Sequence, residues 1–171
     1  MGPISVLIGN ICSFLAMITD AVSATCKTAK GVLWVQSLSQ LIYCIGTTVL
    51  KGYSGAVQNA VSILRNFVAI KEVNSKILRW VLVALGVVLG IVFNNRGWMG
   101  LLPVLANLQY SLAVFQFRNN GNALKISLAI SVFLYAIFNI ALLNVVGVCT
   151  NLFIMVTTLI VLLRKPKNTE E

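Results

Sequence analysis

Seven apolar stretches, each close to the length of a bilayer crossing, follow one another along this chain almost without a break: roughly 4–25, 31–50, 53–70, 77–94, 98–117, 125–143 and 145–163. A helix needs about 20 residues to cross the hydrocarbon core, whereas a barrel strand needs about half as many and alternates in polarity. These runs do not alternate, so helices are expected. Of the 171 residues, 58% are hydrophobic and only 10% are charged, against about 25% charged in a soluble domain. The connections are short and leave no room for a soluble domain, a linker or a low-complexity segment. Residues 1–19 contain no Lys or Arg, so the first stretch lacks the basic flank of a signal peptide. Met1-Gly2-Pro3 opens like a myristoylation site, but Val6 stands where Ser or Thr is required.

The net charge of +9 does not imply a nucleic-acid partner, because the basic residues fall at alternate ends of the stretches. Lys27, Lys30, Lys71, Lys76, Arg79, Arg118, Lys125, Arg164, Lys165 and Lys167 share one side, and only Lys51 and Arg96 lie on the other. The excess of Lys and Arg marks the cytoplasmic face. The N-terminus is therefore expected outside and the C-terminus inside, as an odd number of crossings requires. Trp34 and Trp80 fall at the inner interface, Tyr53 and Trp98 at the outer one, where aromatic residues anchor.

A repeat runs through the apolar background. At a shift of 92 residues Ser39 falls on Ser131, Tyr43 on Tyr135, Gly55 on Gly147 and Asn59 on Asn151. Ile45/Ile137 and Leu50/Leu142 also match, and Thr47 meets Asn139. The first and fifth stretches align at about 97, pairing Asn10 with Asn107 and Ala16 with Ala113. Two three-helix halves can share one orientation only if a single crossing joins them, and the fourth stretch has no polar side chain from Val81 to Phe93. The expected architecture is 3+1+3 with parallel repeats: residues 1–72, a linker helix over 73–97, residues 98–164 and a cytoplasmic tail over 165–171. Gly86 and Gly90, spaced i and i+4, offer a place for close helix approach or reflect only the high glycine content of membrane helices.

Polar residues inside the stretches keep to helix faces: Asn10, Ser13, Met17 and Asp20; Gly55, Asn59, Ser62 and Asn66; Ser39, Tyr43 and Thr47. A buried amide without a partner costs roughly 1–3 kcal/mol, so these groups are expected to face one another or a wet cavity. Asn59 and Asn151 lie at equal depth near mid-membrane, one in each half. They either grip one solute from both sides or hydrogen-bond between helices as structural glue. Asp20 and Arg65 lie about two turns inside the cytoplasmic edge. They are expected to pair or to share an inner vestibule, as a gate or a proton-coupling site; the alternative is local pairing and snorkelling. Pro103 is expected to bend the fifth helix, as a hinge or as a static kink. The four cysteines show no CxxC spacing and the chain has no His, so no metal site or cofactor is expected and buried thiols are.

The segments Ser54-Gly55-Ala56-Val57-Gln58-Asn59-Ala60 and Leu101-Leu102-Pro103-Val104, with the overall spacing, resemble the SWEET and PQ-loop superfamily, and most closely the bacterial inner-membrane family labelled YgjV. In sugar-carrying SWEETs an Asn of helix 3 and an Asn of helix 7 line the central site, which the resemblance maps onto Asn59 and Asn151. Only Pro103 remains of the SWEET hinge prolines, and the Pro-Gln dipeptide of PQ-loop proteins is absent. The resemblance thus implies a fold and a site location, not a substrate.

The sequence reads as a small alternating-access carrier, uniporting or proton-coupled, in a bacterial inner membrane. It would move a neutral polar solute past Asn59, Asn151, Tyr43, Tyr135, Asn10 and Asn107. A non-transporting receptor or assembly partner on the same fold is the alternative, and a homo-oligomer is left open. An enzyme is not expected, because no His, carboxylate pair or nucleophile with an adjacent base is present.

Overall fold

The computed structural model describes residues 2–24, 29–71, 73, 75–116 and 121–163. Among them are seven α-helices, α1 (Pro3–Ala24), α2 (Ala29–Val49), α3 (Tyr53–Ile70), α4 (Lys76–Val92), α5 (Leu102–Gln116), α6 (Gly121–Ala141) and α7 (Val145–Leu163), and no strand. A 3-10 turn, Gly97–Leu101, precedes α5. Cys26, Lys27, Glu72, Arg118, Arg164, Lys165, Lys167 and the rest of the expected tail lie outside the described residues.

Helices α1, α2 and α3 pack in succession, as do α5, α6 and α7. The two sets meet where α1 touches α7 and α3 touches α5, so six helices close a ring. Helix α4 lies across the α3–α5 junction and, among the described residues, touches no other α-helix. Its Gly86 and Gly90 are buried and bring α3 and α5 close: a Cβ at Gly90 would stand 2.5 Å from both Gln58 Nε2 and Val104 Cγ2.

The 92-residue offset also appears in the backbone at the ends of α2 and α6. Lys51 and Leu143, 92 residues apart, are the two non-glycine residues with positive φ among the described residues, at 54° and 57°. Each ends a helix in the same way. Gly52 N donates to Thr47 O at 2.7 Å and Asn144 N to Asn139 O at 3.0 Å, the six-residue closure of a left-handed C-cap. The flanking bonds Leu50 N to Gly46 O and Leu142 N to Phe138 O repeat at the same offset.

Polarity is inverted relative to a water-soluble bundle. Buried polar residues are about as numerous as buried apolar ones, while Ile, Leu, Val, Phe and Trp side chains cover the outward faces. Judged singly, among the described residues only Pro3–Val22 is long and apolar enough to cross a membrane, with a mean hydropathy of 1.7; Ile126–Ala141 and Val145–Ile160 are apolar over shorter lengths. The inward polar residues of α2 and α3 dilute their apolar character, and α4 and α5 are short, at 17 and 15 residues. Trp34, Trp80, Tyr53 and Trp98 are all exposed, and Trp34 packs edge-on against Phe67 at 5.1 Å.

Pro103 departs from expectation. It is fully buried and sits in the first turn of α5, where a missing N–H removes no intrahelical hydrogen bond. The chain changes course here because the 3-10 turn gives way to α-helix at Leu102, so the fifth stretch is two elements rather than one bent helix.

Candidate functional site

The ring is closed at the end that carries the α2–α3 and α6–α7 turns. Leu50, Leu102, Phe138 and Leu142 form one buried apolar cluster, with Leu134, Tyr135 and Ile137 packed against it. Leu50 and Leu142 are repeat mates, so the two halves meet here through equivalent side chains. Phe138 breaks the symmetry, since its mate is Gly46. It fits against glycines of the first half: a Cβ at Gly55 would lie 2.6 Å from Phe138 Cε1, and one at Gly52 would lie 2.7 Å from Leu142 Cδ1.

Immediately inward of this seal the lining turns polar. Asn59 lies one helical turn, about 6 Å, beyond Gly55 on the same face, and Asn66 two further turns along. Asn59 is 7% and Asn66 4% exposed. Tyr135 is one turn inward of Phe138, and Tyr43 two turns inward of Leu50; both are half-buried. The amides of Asn59 and Asn66 and the phenols of Tyr43 and Tyr135 make no hydrogen bond among the described residues, but their polar atoms are not fully buried; the fully buried side-chain polar atom without a partner among the described residues is Ser54 Oγ. The repeat mate Asn151 is half-buried, and its Nδ2 donates to Gly147 O of its own helix at 2.9 Å. No hydrogen bond joins Asn59 to Asn151.

Two other sequence candidates have firm partners. Asn10 donates from Nδ2 to Val6 O at 2.8 Å and to Leu143 O at 3.2 Å, and its Oδ1 accepts from Val146 N at 3.0 Å. It thereby satisfies the backbone of the α6–α7 turn. Beside it, Asn144 donates to Ser13 Oγ at 2.7 Å and to Asn139 Oδ1 at 3.0 Å, and its Oδ1 caps α7 by accepting from Gly147 N at 3.0 Å.

Asn107 belongs to a second polar chain, at the α3–α4–α5 junction. Gln58, 1% exposed, donates from Nε2 to Gly86 O at 2.8 Å. Asn107 Nδ2 donates to Gln58 Oε1 at 2.7 Å, and Arg65 Nη1 reaches Asn107 Oδ1 at 3.4 Å. The Arg65 guanidinium stands 5.8 Å from the centroid of the Tyr110 ring, a cation–π arrangement. A small, partly open cavity of about 20 Å³ adjoins these groups, with Ser62 and Ser111 on its wall. A larger space of about 360 Å³ between α5 and α6 is an open groove with a mainly apolar lining, and its Gln109 and Ser127 side chains satisfy each other.

Asp20 and Arg65 form no ion pair with each other among the described residues. Asp20 accepts a hydrogen bond from Ser39 Oγ and lies within Coulombic reach of Tyr43. Arg65 is engaged sideways with α5. Depth counting puts the two at similar heights, but α2 stands between α1 and α3, which do not touch. Cys12, Cys44 and Cys149 are free thiols, and no cluster of potential metal ligands occurs among the described residues.

Gln58 was not singled out from the sequence. With Ser62 and Arg65 it forms an i, i+4, i+7 row beside the Asn59 row. That second polar stripe on α3 is the signal that could have revealed the junction.

A family model for Imp-YgjV, a bacterial inner membrane protein, matches residues 7–169. The chain belongs to this family. No curated protein and no solved structure matches it. For an Imp-YgjV protein of the inner membrane, the apolar outer surface of the ring is the surface that lipid would solvate, and the polar groups are turned inward from it.

Proposed function

We propose that this Imp-YgjV protein is a small multi-pass carrier. Its two three-helix units, joined by α4 in a 3+1+3 SWEET-like plan with the N-terminus outside, would rock around a central site for a neutral polar solute. One observation carries the reading: the polar groups of Asn59, Asn66, Tyr43 and Tyr135, which make no bond to protein and are not fully buried, face inward between one and three turns from an apolar seal where the two halves meet. Polar groups turned inward without a protein partner are open to engagement by a solute or water. Their amides and phenols suit hydroxyl or amide groups on the solute. Asn151 completes the site by releasing its own helix carbonyl, and Asn107 borders the site from α5. Asn10 supports the α7 turn beside it.

In the alternating-access cycle the seal of Leu50, Phe138 and Leu142 keeps the outer end shut while the inner end admits solute. Asp20, held by Ser39 and beside Tyr43, is the carboxylate that would take up a coupling proton if transport is proton-driven. Arg65 is the gating charge on the α3 side. The alternative, a non-transporting receptor or assembly partner, needs no such uncommitted groups.

The test is a thermal-shift and vesicle-uptake screen of neutral polyols, sugars and amides with purified full-length protein. A stabilising solute should be taken up by wild type, while Asn59→Ala and Asn151→Ala should lose about tenfold or more in affinity, corresponding to the net value of one or two hydrogen bonds. Equal stabilisation of all three proteins would place the site elsewhere.

A further inference from the structure

The guanidinium at the α3–α4–α5 junction is under-satisfied. Arg65 is half-buried, yet among the described residues it has one long hydrogen bond of 3.4 Å to Asn107 Oδ1 and the face of Tyr110, with the Tyr135 phenol within Coulombic reach. An arginine carries five N–H donors, and a charge at this depth ordinarily meets an opposite charge or water. No carboxylate contacts Arg65 among the described residues, and Asp20 is committed to Ser39 on α1 and α2. The remaining groups around the cavity are donors or switchable hydroxyls. Ser62 and Ser111 are each 6% exposed, and neither forms a hydrogen bond among the described residues. The nearby acceptors are already used: Gln58 Oε1 takes the Asn107 amide and Gly86 O takes Gln58. A cavity of about 20 Å³ is about the space of one water or one monatomic ion.

We propose that this cavity is a binding site for a small monoanion, held by the Arg65 guanidinium and the Ser62 and Ser111 hydroxyls. A halide and the carboxylate head of a small organic acid share the chemistry. The halide fits the cavity as it stands, and a carboxylate needs Leu82 or Leu108 on its wall to yield. The cavity adjoins the proposed solute site through Asn107 and Arg65, but its anion binding does not depend on the carrier reading: an anion can bind where no solute is moved, and a neutral solute can be carried with no anion bound.

The experiment is a melting-temperature titration of the purified full-length protein in detergent at constant ionic strength. Chloride, bromide or acetate replaces gluconate, which is too large for the cavity. Bromide should raise the melting temperature saturably, and acetate less so. Arg65→Gln should abolish the shift. Arg65→Lys should keep part of the halide response but lose the acetate response, because an ammonium lacks the planar fork that grips a carboxylate. Ser111→Ala should weaken bromide severalfold while leaving the melting temperature in gluconate near wild type. Crystals of wild type grown with bromide give a readout that needs no variant: an anomalous peak within about 4 Å of the guanidinium, the range of a charge-assisted contact. A shift of equal size in gluconate, a linear response without saturation, an unchanged response in Arg65→Gln, or no anomalous peak at Arg65 would each overturn the site.

Discussion

Gly55→Ala is the smallest change that tests the seal between the halves. The added methyl carbon would lie 2.6 Å from Phe138 Cε1 and 3.2 Å from Cζ, while ordinary carbon contacts begin near 3.5 Å. The ring must therefore retreat by roughly 1 Å, yet Phe138 is 0% exposed and held by Leu50, Leu102 and Leu142. Overpacking of this kind costs about 1–3 kcal/mol. Alanine returns up to about 1 kcal/mol in helix propensity, which leaves a net loss of about 0–2 kcal/mol. The decisive quantity is the coupling to Phe138. Phe138→Ala alone should cost about 3–5 kcal/mol through the cavity it leaves. In that background the Gly55 methyl enters vacated space, so Gly55→Ala should become neutral or favourable by up to about 1 kcal/mol. The double-mutant cycle should thus give a coupling of about 1–3 kcal/mol. Unfolding of the detergent-solubilised protein, followed by tryptophan fluorescence as the micelle is titrated with a denaturing detergent, measures all four corners. If Gly55→Ala costs the same with and without the Phe138 ring, the two do not touch and the seal described here is not the junction of the halves.

On α4, Gly90→Ala should destabilise by about 1–3 kcal/mol, since its methyl meets Val104 and the amide bound to Gly86 O. Gly86→Ala, whose nearest atoms are 3.4 Å away, should be neutral or mildly stabilising; the same denaturation assay ranks them, and the reverse order would contradict the α3–α4 packing. Asn144→Ala removes the α7 cap and two buried side-chain bonds and should cost about 2–4 kcal/mol, whereas a loss below ~1 kcal/mol would mean that water replaces the network. Arg96 donates from Nη2 to Leu50 O at 2.8 Å and from Nε to Lys51 O at 3.3 Å, so Arg96→Ala should cost about 1 kcal/mol by baring the C-terminus of α2, and Arg96→Lys should restore part of it. For orientation, a cysteine replacing exposed Trp98 in a cysteine-free background should react with a membrane-impermeant maleimide added outside intact cells; protection until lysis would invert the topology.

The helices were largely legible because each apolar run matches a bilayer crossing, and the observed helix ends fall within a few residues of the runs. The shift of 92 was legible from side chains alone and reappears as paired left-handed residues, Lys51 and Leu143, whose own side chains gave no hint of it. What the sequence could not supply was rotation about the ring. Counting residues gives the height of Asp20 and Arg65 but not that α2 separates their helices. In the same way, a shift of about 97 matched Asn10 to Asn107, yet one serves the α6–α7 turn and the other faces Gln58 and Arg65, because the two helices meet different neighbours. Pro103 was misjudged because the fifth apolar run contains a change from 3-10 to α-helix that apolar residues do not signal.

The placement of α4 has a mechanical consequence. Exchange of the two halves carries the α3–α5 contact onto the α7–α1 contact, so a perfect repeat would make the two junctions equally stiff. Helix α4 binds one of them, with Gly86 and Gly90 pressed against Gln58 and Val104, and among the described residues nothing comparable spans the other. If the halves rock as proposed, the axis would lie along α4, with displacement growing across the ring and greatest between α1 and α7. Spin labels placed on α1 and α7 should report a broader distance distribution than a matched pair on α3 and α5.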